Sequence, residues 1–249
     1  DLGNGMDTWA KVWQQATYNY TSKLIEAPKN TATGISYKVA YILPNKEANV
    51  TVHYKLEANG ILNVQYHFVP TKKDLPSIPR LGMYVTLPKD FTSISWYGNG
   101  PEESYWDRKT GMKTGIYSGK IEDQFHRYPR PQETGNKTAV RWMQLASENM
   151  TLKVSSAVQL LYASVWPFDM KEIDFTSDEG IASASGLVPV TKNHGADIEI
   201  GATIQWNIDS LQMGVGGDTS WGRLPHPAYM ISANKNYSYS FTIQPAIKE

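Results

Sequence analysis

Residues 50–68 read VTVHYKLEANGILNVQYHF, with apolar and polar residues alternating on both sides of Asn59-Gly60. Alternation with a period of two predicts two β-strands, and the Asn-Gly pair predicts a hairpin turn between them. A two-residue loop would put the apolar rows of the two strands on opposite faces, whereas a three-residue loop pairs Leu56 with Leu62 and puts both rows on one face. We therefore predict a three-residue loop that ends at Gly60 in the left-handed conformation.

Similar alternation and turn signals predict strands along most of the remaining chain. These strands lie at residues 35–43, 81–87, 91–97, 138–146, 150–156, 158–166, 198–208, 228–233 and 237–244. One short helix is expected at the front, because Trp9, Trp13 and Tyr20 recur at helical spacing and Asp7 can cap its start. Two longer irregular segments, 98–137 and 167–197, interrupt the strands.

Many strands with short turns and no alternating helices indicate an all-β, antiparallel sandwich. The sequence contains no repeat, linker or low-complexity stretch, so we expect a single domain over residues 1–249. The first residue is Asp1 rather than Met, which we interpret as a cut inside a longer polypeptide.

The composition narrows the possible functions. The chain has no cysteine, which excludes thiolate metal sites, disulfides and thiol nucleophiles. Its 24 basic residues balance 24 acidic residues, so a nucleic-acid partner is not expected. No apolar run reaches transmembrane length, so a membrane partner is not expected either. Eight tryptophans and fifteen tyrosines suit a carbohydrate-binding surface as well as a large β-sandwich core.

The stretch that points most directly to a ligand is residues 213–221, MGVGGDTSW. Its glycines allow tight turns and close approach of the backbone to a ligand. Trp221, at its end, offers a broad apolar face with one polar group, which suits stacking on a sugar ring. The alternative is that Trp221 is an ordinary core residue that follows a turn.

Several loop carboxylates could supply the pair of acids that a glycosidase needs. The candidates are Glu102, Glu103, Asp107, Glu133 and Asp218. Carboxylates in Gly- and Pro-rich loops more often pair with arginines or accept backbone N–H groups. We expect that structural role here, with Arg108, Arg130 and Arg141 as partners.

Two histidines fall on the polar face of the predicted hairpin. In the three-residue-loop register, His53 pairs with Gln65 and His67 with Thr51, which makes the two imidazoles diagonal neighbours. Such a pair could serve acid–base chemistry on a sugar, but a solvated polar row is the expected role. The sequence has no Ser-His-Asp order and no metal-ligand spacing, so no metal site is predicted.

Four motifs occur in order along the chain and together resemble a known family. They are residues 79–82 (PRLG), 96–108 (WYGNGPEESYWDR), 131–136 (PQETGN) and 213–221 (MGVGGDTSW). The chain closely resembles the C-terminal, small-chain domain of bacterial β-galactosidases of glycoside hydrolase family 2. The resemblance implies an antiparallel supersandwich of the galactose-mutarotase-like type. It also implies a fragment of a larger enzyme that lacks the first strands of its domain, so an unpaired sheet edge or a gap is expected.

The resemblance further implies that the whole enzyme hydrolyses terminal β-D-galactosides with retention. The catalytic glutamates of the family lie in a barrel domain outside this chain, so no catalytic residue, cofactor or metal is expected here. Any Mg²⁺ or Na⁺ would belong to that barrel. The substrate-binding residues it implies are Trp221, Asp218 and Ser220, and the loop-positioning residues are Gly214, Gly216 and Gly217.

The expected partners are therefore a β-galactoside sugar and the catalytic barrel domain of the same polypeptide, within a homo-oligomeric parent enzyme. The compartment stays open between bacterial cytoplasm and periplasm. One alternative function is an autonomous carbohydrate-binding module. Another is an aldose epimerase, whose activity would depend on His53 or His67.

Overall fold

The computed structural model describes residues 6–129, 132–174, 177–182, 189–191, 194–219 and 223–248, the segments 177–182 and 189–191 by their backbone alone. Two helices, α1 (Met6–Trp9) and α2 (Lys11–Tyr18), precede the strands. The strands are β1 (Thr21–Asn30), β2 (Gly34–Ile42), β3 (Ala48–Glu57), β4 (Leu62–Pro70), β5 (Arg80–Pro88), β6 (Ser93–Gly100), β7 (Lys113–Lys120), β8 (Lys137–Val140), β9 (Trp142–Ala146), β10 (Met150–Ser155), β11 (Leu161–Trp166), β12 (Ser177–Ala182), β13 (Pro189–Thr191), β14 (Thr203–Gln212) and β15 (Tyr237–Ile247).

Two antiparallel sheets pack on each other and enclose the core. The larger sheet has the order β1-β2-β3-β4-β15-β10-β9-β6-β7, and the smaller has the order β5-β14-β11-β8. Alternate side chains of each sheet point into the core, where Val52, Met143 and Trp206 are fully buried. These pairings confirm the predicted all-β, antiparallel sandwich. None of the helices in the described residues has the length and apolar character of a membrane-spanning helix.

The hairpin of β3 and β4 has the predicted register. Leu56 lies opposite Leu62, and His53 lies opposite Gln65. The Gly60 N–H donates to the Glu57 carbonyl at 2.9 Å, and Gly60 has φ +84°. The three-residue loop is therefore confirmed, because only this parity places both apolar rows on the core side.

The helical start is confirmed, but it is divided at Ala10. Asp7 lies within α1 rather than at a helix start, and Ala10, which precedes α2, makes no side-chain capping hydrogen bond. Trp13 is buried, and its indole N–H donates to the Pro76 carbonyl at 3.0 Å. Packing of this aromatic face on the sheets, with no side-chain cap from Ala10, thus fixes α2.

Four strand predictions differ from the structure in position or kind. The predicted strand 138–146 is divided at Arg141, since β8 belongs to the smaller sheet and β9 to the larger. The predicted strands 158–166 and 198–208 begin later, as β11 and β14. Residues 228–233 instead contain a short 3₁₀ turn and an isolated bridge from Ile231 to Ile78. The segments 98–137 and 167–197 also contain strands β7, β12 and β13, and β1 was not predicted at all.

Strand β5 forms one edge of the smaller sheet. A cavity of about 1070 Å³ lies beside β5. Residues from both faces of the strand line it: Leu81 and Met83 from one face, and Gly82 and Tyr84 from the other. Met83 pairs with Ile208 and faces the core, whereas Gly82 pairs with Asp209 on the opposite face of the sheet. The cavity therefore reaches both faces of the edge strand, and the end of β14 that lines it leads into the glycine-rich loop.

Candidate functional site

The glycine-rich loop begins where β14 ends, at Gln212. The Met213 N–H donates to the Pro79 carbonyl at 3.0 Å, and the Gly214 N–H donates to the Tyr229 carbonyl at 2.9 Å. Trp106 packs edge-on against the Tyr229 ring with 6.1 Å between centroids. Three separate parts of the chain therefore meet at the start of the loop.

The Asp107 carboxylate holds the next two residues. Its Oδ1 accepts the Val215 N–H at 3.1 Å, and its Oδ2 accepts the Gly216 N–H at 2.9 Å. A Cβ atom at Gly214 would lie 2.6 Å from Asp107 Cγ, well inside van der Waals contact. Gly214 is thus required for the carboxylate to come this close.

The three glycines of the loop have different steric roles. None of them has positive φ. A Cβ at Gly217 would lie 2.4 Å from the Arg223 carbonyl oxygen, so this position also needs glycine. A Cβ at Gly216 would lie 3.6 Å from Asp107 Oδ2, which is ordinary contact. Close approach of backbone, at Gly214 and Gly217, therefore explains the glycines better than left-handed turns do.

The far part of the loop lies on the surface. Val215 is 36% exposed, and residues 216–219 are exposed. Asp218 Oδ1 lies 2.7 Å from His226 Nε2, and both side chains are exposed. Ser220 and Trp221 lie outside the described residues, so their predicted contacts with substrate stay predictions.

A charged cluster lines the cavity beside the start of the loop. Arg80 Nη2 lies 2.8 Å from Glu133 Oε2, and Arg80 Nε lies 3.1 Å from Asp209 Oδ2, although that N–H is not aligned as a hydrogen bond. The Arg80 guanidinium also lies over the Trp166 ring, 5.2 Å from its centroid. The Arg80 guanidinium therefore forms ion pairs with the carboxylates of both Glu133 and Asp209.

Burial controls the protonation of this cluster. It raises the pKa of Asp209 to about 7, against the opposing effect of Arg80, and it raises the pKa of Glu133 as well. Buried acceptor oxygens without a hydrogen-bond donor lie on Glu133, Asn136, Asp209 and Gln212. Arg80 Nε is likewise a donor without an aligned acceptor, so burial is what favours a proton on one of the carboxylates of this cluster.

Glu103 organises the loop between β6 and β7. Its carboxylate accepts the Gly135 N–H at 2.7 Å, the Arg108 guanidinium at 2.9 Å and the Tyr105 hydroxyl at 3.2 Å, and it also accepts the Tyr128 hydroxyl. This carboxylate is fully engaged in holding the loop. It is therefore a scaffold residue, as the loop composition predicted.

The other candidate acids of this region are either exposed or bound to groups of the chain itself. Glu102 is exposed, while Asp107 and Glu133 are engaged with backbone N–H groups and with Arg80. Arg141 was expected to pair with a carboxylate, but its guanidinium lies 4.6 Å from the Tyr97 ring centroid and donates to the Ala139 carbonyl. Arg130 lies outside the described residues. Within the described part of the chain, no three His, Asp or Glu residues are grouped to hold a metal ion.

His53 and His67 lie on the outer face of the larger sheet, as predicted. His53 Nδ1 is 3.5 Å from Gln65 Oε1 across the hairpin. The neighbouring core-side residues Val52 and Val64 line the cavity on the opposite face. The two imidazoles are therefore separated by the sheet from the cavity and from the charged cluster.

The sequence did not predict the ion pair between Arg80 and Asp209. Asp209 follows Gln205 and Asn207 at alternate positions of β14, and all three side chains are buried. A polar row on a strand whose other face carries Ile204 and Trp206 normally indicates a solvated face. Asp209 can be recognised as a buried charge only from the structure, which shows that both faces of β14 are buried.

Comparisons with known proteins show which family the chain matches. The family model described as "Beta galactosidase small chain" matches residues 1–243. A β-galactosidase of Priestia megaterium is 32% identical over 249 residues, which cover 98% of this chain and 22% of that protein. A β-galactosidase of Lactobacillus delbrueckii subsp. bulgaricus is 34% identical over 212 residues, which cover 84% of this chain and 19% of that protein. The chain thus spans about a fifth of the length of the curated relatives it matches.

Among solved structures, a galactose mutarotase-like protein from Lactobacillus casei is similar with a TM-score of 0.42 and 13% sequence identity. The superposition covers 92% of this chain and 74% of that protein.

Proposed function

This chain belongs to the β-galactosidase small-chain family, and from that premise we propose that it is the C-terminal domain of a retaining β-galactosidase that acts on terminal β-D-galactosides. Retention requires two carboxylates flanking the glycosidic bond. Glu103, Asp107 and Glu133 are each engaged in internal contacts, which supports a catalytic pair elsewhere in the parent polypeptide. The parent would be a homo-oligomer that holds any Mg²⁺ and Na⁺ in its barrel domain.

The contribution of this domain would be Trp221, stacked on the galactoside in the catalytic site of the barrel. The observation that carries this proposal is the glycine-rich loop, which is fixed at its start by Pro79, Asp107 and Tyr229 and exposed from Val215 onward. A fixed start with an exposed continuation suits a segment that reaches into a neighbouring pocket. Asp218 and Ser220 would join Trp221 at the substrate.

The parent enzyme tests this role. Trp221→Ala should lower kcat/KM on an aryl β-galactoside about 10- to 100-fold, since loss of the buried apolar face of a large side chain removes on the order of 1.5–3 kcal/mol. Trp221→Phe should retain part of the activity. The control is Trp142→Ala, because Trp142 is a partly exposed indole on β9 that stacks with Lys153 at 4.7 Å. Equal activity of Trp221→Ala and the wild type would refute the proposal.

The isolated chain should neither hydrolyse an aryl β-galactoside nor bind sugar tightly. One stacking face without the rest of a pocket leaves few pre-organised contacts. Turnover that disappears when a carboxylate of this chain is substituted would contradict this. Calorimetry with galactose and lactose separates the alternative function, because affinity that is lost in Trp221→Ala would indicate an autonomous carbohydrate-binding module.

We also propose that residues 1–249 form a single domain whose edge strand β5 pairs with further polypeptide of the parent enzyme. The position of β5 at the sheet edge, the cavity of about 1070 Å³ beside it and the 41% exposure of Tyr84 support this. Amide hydrogen exchange should show that the outward-facing N–H groups of β5 are protected in the parent and unprotected in the isolated chain. The same protection in both would contradict the pairing.

A further inference from the structure

We propose that Asp107 is a positioning residue for the substrate-contacting loop, acting on Trp221 through the backbone of Val215 and Gly216. This inference rests on the proposed function, which assigns substrate contact to Trp221. Nothing in the sequence links the two segments, because Asp107 lies 108 residues before Val215. The link exists only in the folded chain.

Asp107 lies in a turn that is held by several hydrogen bonds. Tyr105 and Arg108 exchange two backbone hydrogen bonds, at 3.1 and 3.0 Å, and Asp107 lies in the tight turn between them. Tyr105 is buried, and Glu103 binds both the Tyr105 hydroxyl and the Arg108 guanidinium. The turn that presents the carboxylate is therefore held at its backbone and at both flanking side chains.

The Asp107 carboxylate binds the loop backbone through two hydrogen bonds. Each carboxylate oxygen accepts one of two consecutive N–H groups, so the direction of the backbone is fixed as well as its position. Charge-assisted hydrogen bonds of this kind are about twice as strong as neutral ones. Gly214 makes the approach possible, since any side chain there would collide with the carboxylate.

Asp107→Asn is the sharpest perturbation of these two hydrogen bonds. The shape of the side chain is unchanged, but an amide has one acceptor oxygen and an NH₂ group that cannot accept the second backbone N–H. Either Val215 or Gly216 then faces a donor instead of an acceptor. The loop start should loosen while the fold around it is retained.

The first measurement is amide hydrogen exchange over residues 213–219 of the parent enzyme, which does not depend on what Trp221 does. Asp107→Asn should raise exchange at Val215 or Gly216 about 10-fold. Unchanged exchange at both amides would overturn the inference, whatever the activity of the variant. The matched control is Asp169→Asn, because Asp169 also accepts a backbone N–H, that of Lys171 at 2.9 Å, in another part of the chain.

The second measurement is a double-mutant cycle of Asp107→Asn and Trp221→Ala, with kcat and KM for an aryl β-galactoside. We expect Asp107→Asn to lower kcat/KM about 10-fold and to have almost no further effect once the indole is gone, because the course of the loop then no longer matters. Additive effects would overturn the link to Trp221. Asp169→Asn should stay within about twofold of the wild type.

The outcomes separate the two proposals. If Trp221→Ala has wild-type activity, the proposed substrate contact is wrong, and the exchange data alone decide whether Asp107 fixes the loop. If Trp221→Ala is impaired and Asp107→Asn changes neither exchange nor activity, the proposed function stands and the positioning role is wrong.

Discussion

Asp209→Asn should remove a pH dependence of stability that the buried charge cluster builds into the fold. Asp209 is 1% exposed and shares the Arg80 guanidinium with Glu133. Burial, only partly offset by Arg80, raises the pKa of Asp209 from 3.8 to about 7. At pH values between these two the folded chain therefore holds a proton that the unfolded chain has already released.

The sign of the effect follows from this difference. A carboxyl whose pKa is higher in the folded state gives its full contribution to stability below the unfolded pKa, and that contribution is lost as the pH rises through the folded pKa. The difference between the two pKa values, about 3, corresponds to about 4 kcal/mol in total at ~1.4 kcal/mol per pKa unit. About 2 kcal/mol of this falls between about pH 5.5 and 8.5.

Asparagine is a suitable replacement because the site is tight. A Cβ atom at Gly82 would lie 1.9 Å from Asp209 Oδ1, so the backbone of β5 packs directly on the carboxylate. Asparagine keeps this shape and cannot ionise.

Urea unfolding of the wild type and of Asp209→Asn, followed by tryptophan fluorescence across this pH range, measures the effect. The free energy of unfolding of the wild type relative to the variant should fall by about 2 kcal/mol as the pH rises from about 5.5 to 8.5. Asp169→Asn serves as a control that should keep the wild-type pH dependence. Parallel curves for the wild type and Asp209→Asn would show that Asp209 does not carry the proton.

Two further predictions concern the loop and a buried lysine. Gly214→Ala puts a Cβ atom 2.6 Å from Asp107 and should lower Tm by about 4–8 °C in a calorimetric scan. Gly216→Ala puts its Cβ 3.6 Å from Asp107 and should change Tm by less than about 2 °C. Equal shifts of Tm in the two variants would contradict the steric argument. Burial lowers the pKa of Lys137 from 10.5 to about 8, so the free energy of unfolding of the wild type relative to Lys137→Met should rise with pH between these values in urea unfolding, and a constant difference would contradict this.

The parts of the fold that could be predicted are those with strong alternation. In β3 and β4 the apolar rows on both sides of Gly60 leave only one loop length that buries them together, so even the register followed from the sequence. In β1 every residue is exposed, and the strand has no apolar row to reveal it. Strand β7, KTGIYSGK, likewise looks like a loop because its glycines and lysines dominate.

The division of residues 138–146 shows a different limit. Alternation continues across Arg141, but the chain passes there from the smaller sheet to the larger, and Ala139 has φ +53°. Periodicity reports which side chains face a core, and both sheets face the same core. A change of sheet is therefore invisible to the pattern of apolar residues.

The candidate site could be predicted only as a segment. The glycines of residues 213–221 indicated tight turns or close approach of the backbone to a ligand, whereas Gly214 and Gly217 are approached by Asp107 and Arg223 of the chain itself and Gly216 is not. Asp107 was among the candidate acids and was expected to pair with an arginine or to accept backbone N–H groups. Which N–H groups it accepts is a tertiary fact, 108 residues away along the chain.

The geometry of the loop start bears on what this domain can contribute to catalysis. Binding through a mobile segment costs the free energy of ordering it, and a segment that is already fixed avoids most of that cost. Here the Met213, Gly214, Val215 and Gly216 N–H groups all have acceptors in the described structure. A loop held at four consecutive amides has little backbone freedom left to lose at its start. Under the proposed function, this domain would therefore contribute a pre-organised loop, and loosening the loop should raise KM before it lowers kcat.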